Sequence, residues 1–450
     1  MSPPASLHGQ WSSRIAFIIA ASGSAIGLGN IWKFPYLLGE NGGGAFVLVY
    51  LACVIGIGLP IMMAETMLGR RGRQSPVNAM ATLAKQAGSH GAWRHVGWLG
   101  IVAGFLILSY YSVIAGWSMA YIFKMLGGFI ESASAAAAQQ TFMDLKNAPD
   151  VQLVWHTFFM TATMLIVSRG VSEGIERVTR IMMPGLLLML LVLDLYAVGT
   201  EGFAQGMSFL FKPDFDKLTG ASVLIAMGQA FFSLGLGMGS IMVYGSYLPD
   251  HVSIGRSSLI VSGLDTAVAL LAGIAIFPVV FTHHLEPGMG PGLIFETLPL
   301  AFMKMPAGHL FGGLFFVLVF FAAITSAIAL IEPAVAWLSE NQRLSRTRAS
   351  AYAGLACWLL GLGTLLSFNS WSDLTVAGMT FFELIDFITA NVMLPAGGLL
   401  VALFAGWVMR PQDSAEELEA GCWYPYWQLL IRYVAPIAVA IILWDATGSG

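Results

Sequence analysis

Charge is what this chain has least of. Lys, Arg, Asp and Glu together make up 10% of its 450 residues, against 57% hydrophobic residues and a mean hydropathy of +0.76. That composition excludes a soluble enzyme, and a net charge of −4 carries no basic surplus for a nucleic-acid partner. Cysteine is scarce too. Cys53 and Cys357 fall within apolar runs and Cys422 in a loop, so no disulfide framework is implied. Catalytic patterns are also missing. Gly170-Val171-Ser172-Glu173-Gly174 fits a hydrolase nucleophile string, but in a short loop between apolar segments rather than a strand-to-helix turn. His283-His284 lacks further metal-ligand spacing, and the glycine-rich runs lack the strand and helix context of a nucleotide fold.

What is present is a succession of long apolar runs. A membrane span needs about 20 predominantly apolar residues, and eleven runs qualify: 14–37, 42–69, 97–126, 151–168, 174–200, 222–248, 256–281, 308–338, 349–369, 379–409 and 425–446. The chain therefore reads as a single-domain, all-α integral membrane protein of 11 transmembrane helices. Arg70, Arg71, Arg73, Lys85 and Arg94 share one loop, and Arg169, Arg177, Arg180, Arg256, Arg343, Arg346, Arg348 and Arg410 fall on the same side. The other side holds Lys124, Lys146, Lys212, Lys217 and Lys304. Cytoplasmic loops carry the excess of Lys and Arg, so the amino terminus is expected in the cytoplasm and, after eleven spans, the carboxyl terminus outside. Residues 1–10 are polar and predict no cleavable signal. The external stretch 127–150, rich in Ala, Ser and Gln, is expected to be partly mobile. Another, 282–306, contains a helix-like 292–302 suited to capping a cavity.

Two of the runs are interrupted. Gly23-Ser24-Ala25-Ile26-Gly27-Leu28-Gly29-Asn30 lies inside the first, and Ser233-Leu234-Gly235-Leu236-Gly237-Met238-Gly239-Ser240 inside the sixth. Unwound backbone is tolerated at membrane depth only where protein or a wet cavity satisfies its polar groups. Matched breaks in two halves of a membrane protein point to a midplane binding site in a secondary transporter. The bland alternative is that spaced glycines merely let helices approach closely. Five spans precede the second break, so an inverted repeat is expected, 14–200 matching 222–409, with 425–446 outside it.

The strings GSAIGLGNIWKFPY and ENGGGAF, then QAFFSLGLGMGS at 229–240 and FAAITSAIALIEP at 321–333, resemble the neurotransmitter:sodium symporter family, in particular its bacterial amino-acid-transporting branch. The resemblance runs over almost the whole chain. It implies a 5+5 inverted-repeat fold with broken first and sixth helices, a bacterial inner-membrane location, and symport of an amino acid with two Na+ ions. The first ion is assigned to the Ala25 carbonyl, Asn30, Ser233 and Asp265 with the substrate carboxylate. The second is assigned to the Gly23, Ile26 and Ala322 carbonyls with the hydroxyls of Thr325 and Ser326. The substrate carboxylate would meet Ala25, Gly27, Leu28, Gly29 and Tyr111. Its side chain would lie among Ser24, Ile107, Phe232, Ser233, Gly235, Met238, Ser326, Ala327 and Leu330.

Departures from the family pattern sharpen the expectation. Gly27 stands where amine-transporting members carry an aspartate, so the substrate must bring its own carboxylate. None of the pocket positions is ionised, and an unpaired buried charge is costly, which disfavours charged amino acids. Gly235 replaces a serine of a leucine-transporting member and Met238 is an adaptable wall, favouring a broad hydrophobic range that includes aromatics such as tryptophan. Asp265 stands where animal members place an asparagine beside chloride, with Tyr50, Gln229, Ser233 and Ala269 around it. Its carboxylate is expected to replace that anion, making transport chloride-independent, with proton antiport open to it on the return step. Glu65 and Glu332 are expected to form a shared-proton structural network. Lys33 and Asp386 match an external gate pair above Phe232 and Tyr111. Trp11, Arg14, Ser246, Tyr247 and Glu340 match an inner gate, with His8 in place of an arginine opposite Glu340. Gly174 and Pro184 bracket a start of the fifth span that is expected either to unwind or to be statically kinked. Two readings stay open beside amino-acid symport: a symporter of another solute such as glycine or an osmolyte, and a non-transporting membrane sensor.

Overall fold

The computed structural model describes residues 9–128, 134–285, 292–419 and 421–446. His8 lies outside them. Among the described residues nine helices are long and apolar enough to span a bilayer: Gly44–Gly72, Gly91–Leu126, Pro149–Ser168, Val171–Val198, Ile254–Thr282, Gly308–Asn341, Arg346–Ser367, Phe381–Val408 and Tyr424–Asp445. A tenth segment is the pair Arg14–Ala25 and Gly29–Glu40, bent by 51° at its break. The eleventh, sixth in chain order, is Gly220–Ser233 followed after an unwound stretch by Ser240–Ser246. All eleven expected runs are helical, with ends shifted by a few residues.

Both breaks have local causes. Ser13 caps the first helix by accepting from the Ala16 N–H at 3.1 Å, and that helix stops at Ile26, whose backbone is extended. In the sixth segment Gly235, Gly237 and Gly239 have φ of +66°, +78° and +72°. Only glycine enters that region without a steric cost of about 1–2 kcal/mol, so three glycines at alternate positions write the unwinding into the sequence.

Burial separates scaffold from periphery. In the third and eighth segments 78% of the most apolar window is buried, against 33% in the fourth, fifth and eleventh. The former make the protein core and the latter face the bilayer. The second segment runs beside both halves of the broken sixth. It carries a wide π turn at Val54–Gly58, where a Cβ on Gly58 would meet Leu234 Cδ1 at 2.5 Å. Further along, a Cβ on Gly245 would meet the Thr66 carbonyl oxygen at 2.6 Å.

Two outer elements cover the bundle. The stretch expected to be mobile contains a helix, Ala135–Lys146, begun by the Ser134 side chain accepting from Ala137. Leu293–Met303 is a short apolar helix as expected. The Tyr121 hydroxyl donates to its Phe295 carbonyl at 2.8 Å, and the Phe295 ring stacks on Phe142 at 5.2 Å. The fifth segment is not unwound at its start. Residues Val171–Glu176, Gly174 among them, form a wide π turn and Pro184 lies inside the helix that follows, so the backbone stays helical through both.

Arginines gather at the opposite end. Arg70 donates to the Val252 carbonyl and to Glu417, and Arg73 to the Leu248 carbonyl and Asp250. Arg346 donates to Glu332 and to the Val167 carbonyl there.

Candidate ion and substrate site

The two breaks face each other and bring distant residues together. The Asn30 amide donates to Asp265 Oδ1 at 2.7 Å and to Ser233 Oγ at 3.0 Å. The Ser233 hydroxyl donates to Asp265 Oδ2 at 2.6 Å, and Tyr50 reaches the same two groups at 3.2 and 3.5 Å. Gln229 donates to the Gly29 carbonyl at 2.9 Å. Asn30, Tyr50, Ser233 and Asp265 are fully buried. No Lys or Arg ion-pairs with Asp265 among the described residues. A buried carboxylate is expensive without a compensating positive charge, so this cluster is built either to take a cation or to hold a proton.

The second constellation is richer in acceptors than in donors. The Ser326 hydroxyl contacts the Gly23, Ser24 and Ile26 carbonyls at 3.3, 3.2 and 3.2 Å. It has one proton to give. The Thr325 hydroxyl turns to carbonyls of its own helix, Phe321 at 3.0 Å and Ala322 at 3.1 Å. Helix ends leave their last carbonyls unpaired, and here they end against a buried hydroxyl pair. A buried cluster with more oxygens than protons fits a hard cation, which replaces its water shell with such oxygens. Asn30, Ser233 and Asp265 are thus in contact, as are Gly23 and Ile26 with Ser326, while Thr325 meets Ala322 within its own helix and Ala25 is the last residue of the first helix.

Beside these oxygens lies a cavity of about 30 Å³, walled by Gly27, Tyr111, Phe232, Gly235, Met238 and Leu330, with Ser24, Ala25, Leu28, Gly29, Ile107 and Ser326 completing its expected lining. The Tyr111 oxygen accepts from the Leu28 N–H at 3.2 Å. A Cβ on Gly27 would approach Ser326 Oγ at 2.5 Å and the Tyr111 oxygen at 2.9 Å, so a side chain here would close the space. Two expected wall residues are elsewhere. Ser233 belongs to the carboxylate cluster, and Ala327 is buried outside the lining. Ser240 and Ala329 take part instead. Residues three and four apart share a helix face, so Ser326 selects Ala329 and Leu330, and that spacing alone pointed to Ala329.

Glu65 and Glu332 do not share a proton. Glu65 Oε1 accepts from the Gly237 N–H at 2.7 Å, tying the second segment to the unwound sixth. Glu332 accepts from Tyr247 at 2.7 Å and Arg346 at 2.5 Å. Each carboxylate found its own donors, which a like-charge pairing would have forfeited.

The gates differ from expectation in their partners. Among the described residues no ion pair joins Lys33 to Asp386. The Lys33 ammonium instead lies 4.5 Å from the centre of the Phe232 ring. A lysine is a mobile point charge without the guanidinium fork, and an aromatic face competes for it. On the arginine-rich side the Trp11 indole donates to the Tyr244 carbonyl at 3.0 Å, and its ring meets Tyr247 edge-on at 5.9 Å. Glu340 accepts from the Ser75 N–H and from Asn78, both at 2.7 Å. The half-buried Arg14 has no hydrogen-bond partner on its Nε. Ser246 lends its carbonyl to Arg73 at 3.4 Å. A contact without sequence signal completes this end: Ser12 donates to the Glu176 carboxylate, which also pairs with Arg180.

These features agree with what the chain is similar to. The model of the sodium:neurotransmitter symporter family matches residues 8–134 and 139–447. The chain belongs to this family. It is a multi-pass, sodium-dependent transporter of a small molecule and not an enzyme. It is 40% identical over 444 residues to an uncharacterized sodium-dependent transporter, YhdH, of Bacillus subtilis (strain 168), covering 98% of each chain. It is 25% identical to the sodium- and chloride-dependent glycine transporter 2 of Xenopus laevis, covering 97% of this chain and 64% of that one. A crystal structure of MhsT in complex with L-phenylalanine matches with a TM-score of 0.90 and 42% identity, over 97% of this chain and 99% of that one. The chain therefore shares the fold of MhsT.

Proposed function

We propose that this symporter carries neutral, hydrophobic L-amino acids, aromatic ones included, together with two Na+ by alternating access. The observation that carries the reading is the pairing of two buried oxygen-rich clusters with an uncharged pocket whose wall at Gly235 lacks a side chain. A Cβ there would find its nearest neighbours at 3.7 Å (Ser240 Oγ) and 3.9 Å (Met238 Sδ). A larger side chain gains space at that point, and Met238 can swing to widen it. The L-phenylalanine bound by MhsT supports the same class.

In this reading Asn30, Ser233, Asp265 and the Ala25 carbonyl hold the first ion. Gly23, Ile26, Ala322, Thr325 and Ser326 hold the second. The substrate carboxylate lies at Gly27, Leu28 and Tyr111. Asp265 provides the fixed negative charge that makes chloride unnecessary, and it is the group to take a proton on the return step. Residues 14–200 and 222–409 form the two inverted repeats, and the arginine-rich end faces the cytoplasm of a bacterial cell. One charge crossing 100 mV yields about 2.3 kcal/mol. Two ions yield about 4.6 kcal/mol, and at about 1.4 kcal/mol per tenfold step that sustains roughly a thousandfold gradient. Returning protons would subtract from it.

The test is uptake of labelled L-tryptophan and L-leucine into proteoliposomes under an inward sodium gradient without chloride. Concentrative uptake that stops when sodium is replaced is expected. A rival reading, symport of a small solute such as glycine or betaine, is favoured by the cavity volume of about 30 Å³, which holds little more than water. Competition by glycine but not tryptophan would select it. Sodium-dependent binding without flux would indicate a sensor.

A further inference from the structure

Between the fourth and ninth segments an apolar groove of about 430 Å³ opens on the outer surface of the bundle. Its floor is tight, since a Cβ on Gly354 would meet Met164 Sδ at 2.5 Å. Its rims are the exposed Leu165 and Leu355. At one end the Trp358 indole donates to the Thr157 hydroxyl at 3.0 Å and closes it. At the other end, Ser168 and Thr347 present hydroxyls. Thr157 to Ser168 at 1.5 Å per residue is about 16 Å. One leaflet's share of a hydrocarbon core about 30 Å thick is about 15 Å, so the groove has the depth of a single leaflet.

The open end is basic. Arg169 and Arg348 follow Ser168 and Thr347 directly, and all of Arg169, Arg343 and Arg348 are exposed. Arg346 is turned inward to Glu332, whereas the other three form no ion pair among the described residues. One helical turn inside the mouth, Ser350 lines the groove, and its buried hydroxyl has no hydrogen-bond partner. A buried hydroxyl left unpaired is costly. A chain of apolar walls, an acceptor wanted one turn down, and a cluster of positive charge at the rim match a glycerophospholipid. Its acyl chain, ester carbonyl and phosphate follow one another in that order.

We propose that this groove is a binding site for one anionic phospholipid. An acyl chain fills the space between the two segments, an ester carbonyl accepts from Ser350, and the phosphate lies between Arg169 and Arg348 with the Ser168 and Thr347 hydroxyls. The lipid then acts as a wedge that fixes the fourth segment against the ninth, outside the ion and substrate path.

The full chain in detergent, stripped of lipid, is offered dioleoylphosphatidylglycerol or dioleoylphosphatidylcholine, and retention is read by native mass spectrometry alongside thermal unfolding. Wild type is expected to retain the anionic lipid at least fivefold better and to gain several degrees from it. Ala351→Trp, which places a ring in the groove from an exposed position, should lose both effects. Arg169→Gln with Arg348→Gln, both on the surface, should lose the headgroup preference while keeping weak retention of either lipid. Equal retention of the two lipids by wild type overturns the proposal, as does undiminished retention by Ala351→Trp. A stabilisation by glycerophosphate alone would assign the arginines to phosphate without a lipid. A dimer dissociated by Ala351→Trp would assign the groove to a second copy of the chain. Either result overturns it.

Discussion

The Asn30 amide nitrogen lies 2.7 Å from Asp265 Oδ1, so the first broken segment and the seventh meet through one amide–carboxylate hydrogen bond at the buried centre of the bundle. Replacing the carboxylate by an amide keeps the size and removes the charge. Asp265→Asn should cut sodium-driven uptake at least tenfold in chloride-free buffer and recover it when chloride is added, while wild type ignores chloride. Uptake by the variant that stays chloride-independent would separate Asp265 from the anion's role.

The single Ser326 hydroxyl faces three carbonyls of the first break. Hydrogen bonds and contacts to charged groups contribute about 1.5–3 kcal/mol, so Ser326→Ala should weaken apparent sodium affinity by roughly tenfold or more. Substrate uptake measured against sodium concentration reads the shift, and an unchanged half-saturation would remove Ser326 from the ion site.

A Cβ on Gly235 would make ordinary contact with Ser240 Oγ at 3.7 Å and Met238 Sδ at 3.9 Å. Gly235→Ser should narrow the pocket and lower the tryptophan-to-leucine uptake ratio by about 10-fold, the scale of discrimination that small changes in an apolar pocket produce. Since its φ of +66° disfavours a side chain, some loss of total activity is also expected. An unaltered ratio would place the substrate side chain elsewhere.

Lys33 rests on the ring of Phe232. Such a contact is worth about 0.5–1 kcal/mol at an exposed site, so Lys33→Gln should speed substrate dissociation by roughly two- to fivefold. Lys33→Arg, with a fork able to reach a carboxylate, should slow it. Dissociation of a labelled amino acid from the detergent-solubilised protein distinguishes the two.

Glu332 is fully buried and paired with Arg346. Removing one partner strands the other charge, at about 3–5 kcal/mol, so Arg346→Gln should lower the unfolding temperature. Arg346→Met combined with Glu332→Leu should recover much of it. A single variant as stable as wild type would show that Glu332 is held by Tyr247 alone.

The architecture was legible because it rests on short-range chemistry. Apolar runs of about 20 residues read as spans, and the glycine-rich strings at 23–30 and 233–240 mark where two of them break, although positive φ appears at Gly235, Gly237 and Gly239 and not at Gly23, Gly27 or Gly29. The two oxygen-rich clusters were reachable only through resemblance, since Asn30 and Asp265 are 235 residues apart and nothing local joins them. Partner choice was not legible. Glu65 bonds a backbone N–H that unwinding releases, Ser12 bonds a carboxylate 164 residues away, and Lys33 prefers a ring to Asp386. In each case several partners of similar strength compete, and small differences in reach decide. Ala327 was misplaced for a simpler reason: it is one residue, and so a quarter-turn, off the face that Ser326 and Leu330 share.

The second segment is a splint bound to a fracture. It lies along both pieces of the sixth, and close glycine contacts seat it there. Were it rigid, it would immobilise the break it spans. Its own loose turn, Val54–Gly58, falls at the level of Leu234, so the splint is jointed where it crosses the fracture. The joint touches Leu234, next in sequence to Ser233, so a bulkier residue at Gly58 would press on the break beside the Ser233–Asp265 contact.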